Sequence, residues 1–312
     1  MRFAFILDPL DSLKAHKDTS LAIMSEAAQR GHELFVAMQS DLLLRQDKVR
    51  LMARAFAFTQ GASWYRLGEP AETAPADFDA VLMRKDPPFD NEFLYSTYLL
   101  ELAAEQGARI LNNPQSVRDW NEKLSVARFP QFAPEFLVTS NNDLIRDFLA
   151  EHGDIVVKPL DGMGGSSVFR LHSTDHNISV ILETITNFGR RTIMAQRYLP
   201  EIKAGDKRII VIDGEPLPYA LARIPKIGET RGNLAAGGTG VAQPLTKRDR
   251  EIAEAVGAAL KQIGLFLVGL DVIGERLTEI NVTSPTGMVE IAAQTDCNPA
   301  AIFMDALERY CE

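Results

Sequence analysis

Apolar and polar positions follow each other along the chain in blocks that are typical of strands and helices. Phe3–Leu7 is an apolar run that predicts a buried strand. Apolar positions at Leu21, Met24 and Ala27 then predict a helix, and His32–Met38 predicts a second strand. This order of strand, helix and strand predicts a parallel sheet and an α/β fold for the N-terminal part.

The pattern changes after about residue 114, where Pro114–Asn121 predicts a domain boundary. Beyond it, short apolar runs come in pairs that predict antiparallel hairpins. Ile155–Pro159 and Ser167–Leu171 form one such pair, and Lys207–Ile212 and Leu217–Arg223 form another. We therefore expect antiparallel sheets in the second half of the chain.

A third predicted hairpin, near the C terminus, carries three oxygen-bearing side chains. Glu279 and Asn281 are two residues apart, so a strand places them on one face. A three-residue loop at Gly274–Arg276 would pair Asp271 with Glu279. Adjacent buried carboxylates repel, and a cation between them offsets that cost. Oxygen ligands favour Mg²⁺ over Zn²⁺; the alternative is a half-exposed hairpin with a polar face and no metal.

A glycine-rich segment follows Lys158 and joins two of the predicted strands. Its small residues are Gly162, Gly164, Gly165, Ser166 and Ser167. The segment lacks the G-x-x-x-x-G-K-[ST] pattern of a P-loop. Bare backbone N–H groups in a flexible loop can still cover phosphates. The alternative is a solvent-exposed turn, although such turns need only one or two glycines.

Basic residues near strand ends indicate an anionic ligand. Arg84 ends the predicted strand Phe78–Arg84, and ligands of open α/β sheets lie beyond such ends; the alternative is a surface charge cluster. Residues 225–241 contain five glycines and Arg231, which predicts a functional lid. With Lys158, the further basic residues of the second half are Arg208, Arg223 and Arg231. A nucleoside triphosphate with Mg²⁺ is the simplest ligand for this set.

Composition narrows the classes of protein that fit. The 312 residues carry a formal net charge of -9, which argues against a general nucleic-acid binder. The two cysteines, Cys297 and Cys311, predict reduced thiols and a cytoplasmic location. No apolar run approaches the length of a membrane helix. We therefore expect neither a nucleic acid nor a membrane as partner.

Four motifs together resemble the bacterial glutathione synthetases, which are ATP-grasp ligases. They are DGMGG at 161–165, RKDPPFD at 84–90, GETRGNLAAGG at 228–238 and LTEINVTSP at 277–285. The resemblance extends over nearly the whole chain. It implies an α/β fold of three parts: a Rossmann-like N-terminal domain at 1–121, a lid subdomain at 122–201 and a C-terminal subdomain at 202–312 with a mobile loop at 225–241. ATP is then expected between two antiparallel sheets.

The resemblance also implies an activity and a set of site residues. The activity is the ATP-dependent joining of γ-glutamylcysteine and glycine through an acyl phosphate, with Mg²⁺ or Mn²⁺ as the metal. The implied ATP-binding residues are Lys123, Lys158, Gly162, Gly164, Gly165, Ser166, Ser167, Gln196, Tyr198 and Leu199. The implied metal ligands are Asp271, Glu279 and Asn281. The implied substrate-binding residues are Arg84, Arg223, Asn281 and Ser284, and the implied catalytic residues are Arg208 and Arg231.

One position departs from the expected family pattern. Thr239 stands where we expect an arginine, which removes a cation from the lid. The resemblance further implies a homo-oligomer, either a dimer or a tetramer. The alternatives for function are another ATP-grasp carboxylate–amine ligase and a nucleotide-binding regulator without catalysis.

Overall fold

The computed structural model describes residues 1–60, 63–226, 228–229, 232 and 237–312. The described residues form an N-terminal mixed sheet and two antiparallel sheets, with helices packed around them. The predicted α/β architecture is therefore present. No helix in the described part of the chain is long and apolar enough to cross a membrane.

The N-terminal sheet contains both parallel and antiparallel pairs. Its strands are β1 (Arg2–Leu7), β2 (Glu33–Met38), β3 (Leu42–Arg45), β4 (Lys48–Phe58), β5 (Tyr65–Leu67), β6 (Ala71–Thr73), β7 (Ala80–Met83) and β8 (Ile110–Leu111). Strands β2, β1, β7 and β8 are parallel neighbours, whereas β3 to β6 pair antiparallel around β4. The helices of this part are α1 (Thr19–Gln29), α2 (Asn91–Glu105) and α3 (Pro114–Asp119). Helix α1 begins where the Asp18 side chain accepts a hydrogen bond from the Leu21 N–H.

The middle part is a four-stranded antiparallel sheet with its own core. Its elements are β9 (Phe136–Thr139), α4 (Asn142–His152), β10 (Asp154–Pro159), β11 (Phe169–His172), α5 (Ile178–Ile185) and β12 (Ile193–Arg197). The strand order is β11, β10, β12, β9. Ile145 and Leu149 from α4 pack with Ile155, Leu171 and Leu182, and all five are buried.

The C-terminal part is a five-stranded antiparallel sheet. Its elements are β13 (Asp206–Ile212), β14 (Glu215–Ile224), β15 (Thr239–Pro244), α6 (Lys247–Gln262), β16 (Leu267–Ile273), β17 (Arg276–Asn281), α7 (Met288–Gln294) and α8 (Pro299–Cys311). Helix α7 was not predicted from the pattern. Strand β15 begins at Thr239, so the last residues of the predicted loop 225–241 belong to a strand, because Thr239 and Gly240 pair with Ile224 and Arg223.

The N-terminal and C-terminal parts share a hydrophobic core, although they are far apart in the sequence. Phe3 and Phe5 of β1 belong to the same buried cluster as Phe303 and Leu307 of α8. The shared core fixes the ends of the N-terminal strands beside the C-terminal sheet. The domain limits at residues 121 and 201 stay a prediction.

Candidate active site

A cavity of about 500 Å³ lies between the middle and C-terminal sheets. Its walls come from β10, β11 and β12 on one side and from β13, β14, β16 and β17 on the other, with N-terminal loop residues at one end. The predicted site residues in its walls are Lys123, Lys158, Gly162, Gly164, Gly165, Ser166, Gln196, Tyr198, Leu199, Arg208, Arg223, Asp271, Glu279, Asn281 and Ser284. Arg84 and Ser167 are not part of these walls. Arg231 lies outside the described residues.

The hairpin of β16 and β17 places the three predicted oxygen ligands on one face. Asp271 pairs with Glu279, as predicted, and Asn281 pairs with Gly269. The predicted three-residue loop is wrong: β17 starts at Arg276, so the turn is shorter by one residue. Asp271 still pairs with Glu279 because β17 contains a β-bulge. Thr278 is the extra residue at this bulge and has no pairing partner on β16.

Two cations balance each of the two carboxylates. Arg208 donates to Asp271 through Nε at 2.6 Å and Nη2 at 3.1 Å, and Arg223 Nη2 lies 2.9 Å from Asp271 Oδ2. Lys158 Nζ lies 3.0 Å and Lys123 Nζ 3.9 Å from Glu279 Oε1. Burial alone would raise the pKa of both carboxyl groups, but the four cations lower it below the usual range. Both groups are therefore ionised at neutral pH.

The hairpin oxygens fit a hard divalent cation by their chemistry. Asn281 Nδ2 donates to the Gly269 carbonyl at 3.2 Å, which turns Oδ1 to the other side of the amide. Two carboxylates and one amide oxygen on one face are ligands suited to Mg²⁺. Among the described residues, no group of three His, Cys, Asp or Glu side chains is placed to hold a metal. The predicted ligand set therefore depends on the amide of Asn281.

The glycine-rich segment lines the cavity beside the middle sheet. It connects β10 to β11, which are antiparallel neighbours, as predicted. Gly164 and Gly165 have positive φ angles of 63° and 77°, which glycine adopts without strain. Lys123 Nζ donates to Gly162 O at 2.8 Å, and Arg191 pairs with Asp161 at 2.5 Å. The loop is thus held at its base by two cations.

The end of β12 supplies an enclosed apolar wall. Gln196, Tyr198 and Leu199 are all buried and line the cavity. Gln196 Nε2 is a buried donor without a hydrogen-bond partner in the described structure. Such a donor in a cavity wall is an unmet polar group that a ligand acceptor can satisfy.

Arg84 stands apart from the other predicted residues. Its side chain is buried, with 5% of the residue exposed, so the alternative of a surface charge cluster is wrong. Its guanidinium donates to Ser20 Oγ at 3.0 Å and to Pro285 O at 2.9 Å, while Ser284 Oγ donates to Arg84 O. Burial lowers the pKa of Arg84 to about 10. Arg84 thus fixes the segment after β17, and its direct contact with a substrate stays a prediction.

The cavity also contains acidic residues that the sequence did not single out. Asp206 Oδ2 pairs with Arg223, and Asp206 Oδ1 is buried without a partner in the described structure. Burial raises the pKa of Asp206 to about 6, although Arg223 opposes this effect. Glu290, on the unpredicted α7, has a buried Oε2 that also lacks a partner. Asp206 could have been found from its position two residues before Arg208 on one strand face.

Structural neighbours identify the fold. The chain is similar to D-cycloserine synthetase DcsG, with a TM-score of 0.69, 16% identity and full coverage of both chains. It is also similar to the ATP-grasp ligase PsnB, with a TM-score of 0.64, 16% identity and coverage of 99% and 98%. At such low identity these likenesses establish the fold alone. The fold is that of the ATP-grasp ligases, which confirms the predicted fold class.

Sequence relatives define the family. The model of the prokaryotic glutathione synthetase N-terminal domain matches residues 1–118, and that of the ATP-grasp domain matches residues 122–296. Glutathione synthetase of Nitrosomonas europaea is 60% identical and covers 99% of this chain and 98% of its own. That of Salmonella typhimurium is 52% identical with the same coverage.

The chain therefore belongs to the prokaryotic glutathione synthetase family, and its function is that of a glutathione synthetase. This membership makes it an ATP-dependent ligase that acts on small molecules and uses a divalent metal. The family and the activity predicted from the motifs are confirmed.

Proposed function

We propose that the described cavity holds ATP, γ-glutamylcysteine and glycine together and carries out the ligation. The observation that carries this proposal is the charge cluster in the cavity wall, in which Asp271 and Glu279 are each flanked by two cations. Such a cluster has both the positive charge to receive a triphosphate and the oxygen ligands to receive its metal. Few ligands other than a triphosphate with its metal need both the positive charge and the oxygen ligands.

ATP would lie with its base at the end of β12 and its phosphates beneath the glycine-rich loop. Gln196 Nε2 would donate to the base, whose faces would pack on Tyr198 and Leu199. Lys123 and Lys158 would contact the phosphates, because their Nζ atoms lie at the cavity wall below the loop. The backbone N–H groups of the loop add further donors for phosphate oxygens.

The metal would be held by Asp271, Glu279 and Asn281. We favour Mg²⁺, with Mn²⁺ as the closest substitute, because all three ligands are oxygens. When bound, the ion supplies positive charge that stabilises the phosphoryl group during transfer.

The peptide substrate would lie beside the phosphates. Arg208 and Arg223 would bind its cysteinyl carboxylate, because they are the guanidinium groups in the wall next to Asp271. Ser284 and the free Oε2 of Glu290 would receive the glutamyl end, where an ammonium group fits the unpartnered carboxylate oxygen.

The ligation then proceeds in two displacements. A carboxylate oxygen attacks the γ-phosphorus, the bond to the β-phosphate oxygen breaks, and ADP leaves. The amine of glycine attacks the carbonyl carbon of the resulting acyl phosphate, the bond from that carbon to the phosphate oxygen breaks, and phosphate leaves with the proton that the amine loses as the amide forms. Arg208 lowers the repulsion between the two anions in the first step. Water must be excluded from the acyl phosphate, which is the role we assign to the loop that contains Arg231.

Mass spectrometry of the products tests this proposal. The enzyme is incubated with ATP, Mg²⁺, γ-glutamylcysteine and a panel of amino-acid acceptors, and we expect glutathione from the glycine reaction. Turnover with another acceptor but not with glycine would contradict the assigned substrates. ADP formation without any peptide product would contradict the ligation itself.

Assembly and location stay predictions. We propose a homo-oligomer of two or four copies in the cytoplasm, as the resemblance implies. Light scattering of the purified chain at micromolar concentration tests the oligomer, and a mass of 34.5 kDa for the particle would contradict it.

A further inference from the structure

Three residues form a connected unit across adjacent strands, and two of them, Arg170 and Tyr198, line the cavity. Arg170 lies on β11, Asp154 begins β10, and Tyr198 follows β12. The guanidinium carbon of Arg170 lies 3.7 Å from the centroid of the Tyr198 ring. This distance is well inside the ~6 Å limit for a cation–π contact.

Asp154 connects the other two residues. Its carboxylate accepts from Arg170 Nε at 2.9 Å and Nη2 at 2.5 Å, which fixes the plane of the guanidinium. Its backbone carbonyl accepts from the Tyr198 N–H at 3.0 Å. Asp154 therefore holds both the Arg170 guanidinium and the backbone of Tyr198, whose ring the guanidinium covers.

The Tyr198 ring is the part of this unit that belongs to the base pocket. Tyr198 is 9% exposed and lines the cavity together with Leu199 and Arg170. A tyrosine ring at the end of a strand can rotate about its side-chain bonds unless its faces are covered. Arg170 covers one face, so the ring presents a fixed wall to the cavity.

We propose that Arg170 is a positioning residue for the nucleotide base. Its guanidinium, held by the Asp154 carboxylate, covers one face of the Tyr198 ring and fixes the orientation of that ring. This inference rests on the proposed role of Gln196, Tyr198 and Leu199 as the base site. It extends that role to one further residue, Arg170, whose described side-chain hydrogen bonds are all to Asp154. Arg170 sets the shape of the site before ATP arrives.

Steady-state kinetics of Arg170→Met test the inference. We expect the KM for ATP to rise about fivefold while kcat changes by less than about twofold, because the loss falls on nucleotide binding. The KM values for glycine and γ-glutamylcysteine should stay unchanged. Arg146→Met is the matched control, since Arg146 is an exposed arginine of the same subdomain that bonds only Ser179 among the described contacts. Its KM for ATP should equal that of the unmodified enzyme.

A double-mutant cycle separates action through Tyr198 from direct contact with the nucleotide. If Arg170 acts through the ring, Arg170→Met has no further effect on the KM for ATP in a Tyr198→Leu background. A fivefold effect that persists in that background would overturn the inference, because Arg170 would then contact ATP itself. An unchanged KM for ATP in Arg170→Met would also overturn it.

Asp154→Asn provides a second variant in case Arg170→Met does not fold. It removes the charge that holds Arg170 and keeps the backbone carbonyl that accepts from Tyr198. We expect the same direction of change in the KM for ATP, with an unfolding temperature, measured without ATP, close to that of the unmodified enzyme. Failure of the proposed function can be distinguished from failure of this inference. If the proposed function were wrong, the unmodified enzyme would form no glutathione at all.

Discussion

Single residues decide whether the cavity can hold opposite charges at close range. Asp271 and Glu279 face each other across a two-strand ladder, and both remain ionised because cations surround them. Removing one charge from such a cluster leaves the others uncompensated, so an isosteric change here is expected to lower stability as well as activity.

Glu279→Gln removes one predicted metal ligand without changing the size of the side chain. We expect kcat to fall at least about tenfold, because the transferring phosphoryl group loses part of its charge stabilisation. Coupled-enzyme measurement of ADP release over a range of Mg²⁺ concentrations checks this. Glu275→Gln in the exposed turn of the same hairpin is the control. A rate near that of the unmodified enzyme at low Mg²⁺ would contradict the metal assignment.

Asp206 should make the stability of the ligand-free protein depend on pH. Its folded-state pKa of about 6 exceeds the ordinary value of 3.8, so the folded state keeps a proton that the unfolded state has released. The contribution of this carboxyl to the unfolding free energy therefore decreases as pH rises from about 4 to about 6, and it stays low above that.

Asp206→Asn removes this titratable carboxyl. The unfolding free energy of the variant minus that of the unmodified protein should therefore increase by about 2–3 kcal/mol as pH rises from about 4 to about 6. Urea unfolding at several pH values, with chelator present, measures the difference. A difference that stays constant with pH would show that the Asp206 carboxyl does not titrate in this interval.

At the scale of elements, the hairpin of β16 and β17 and the neighbouring β13 act as one platform. Arg208 on β13 pairs with Asp271 on β16, so its side chain lies over the sheet beside the carboxylate. Gly269 leaves room for this side chain: a Cβ there would lie 2.8 Å from Arg208 Cδ and 2.9 Å from Pro285 Cβ. Side-chain packing therefore favours glycine at position 269, and the pattern of apolar residues along β16 does not reveal this.

Gly269→Ala should displace Arg208 from Asp271. We expect kcat to fall about tenfold, since even small misplacement of a charge-stabilising group is costly in catalysis. The comparison is Gly68→Ala, where a Cβ meets its nearest neighbour at an ordinary 3.4 Å. Equal activity of the two variants, measured as glutathione formed per minute, would contradict the packing argument.

At the scale of the whole molecule, buried polar contacts tie the N-terminal and C-terminal parts together. Asn112 Nδ2 donates to Leu267 O and Val282 O, both at 2.8 Å. Its Oδ1 accepts from the N–H groups of Phe266 and Leu267 at 2.8 and 2.9 Å. One side chain therefore satisfies four backbone groups across a sequence separation of more than 150 residues.

Asn112→Ala should leave these buried backbone groups unpaired. We expect the unfolding free energy to fall by about 3 kcal/mol or more, because each unsatisfied buried group costs about 1–3 kcal/mol. Urea unfolding checks the value, with Asn91→Ala at the exposed start of α2 as the control expected within about 0.5 kcal/mol. A loss below about 1 kcal/mol would mean that water replaces the contacts.

The sequence by itself determined many of the elements and the family, and it named most of the predicted site residues that are found in the cavity wall. Strand and helix periodicity is local, so β1, α1, β2 and the antiparallel hairpins could be predicted from residue spacing. The glycine-rich loop and the Asp271, Glu279 and Asn281 set could be found because each lies within one short segment. Their grouping with the arginines followed from basic residues near strand ends, which indicated an anionic ligand, and the family motifs agreed with it.

Only the tertiary structure decided which separated residues meet. Arg84 turned away from the cavity because burial against Ser20 and Pro285 satisfies its guanidinium. Glu290 entered the wall through α7, a short helix that periodicity does not reveal. The clamp of Arg170 on Tyr198 and the four contacts of Asn112 join residues from different elements. Long-range contacts of this kind depend on how whole sheets pack, and no local pattern of residues encodes them.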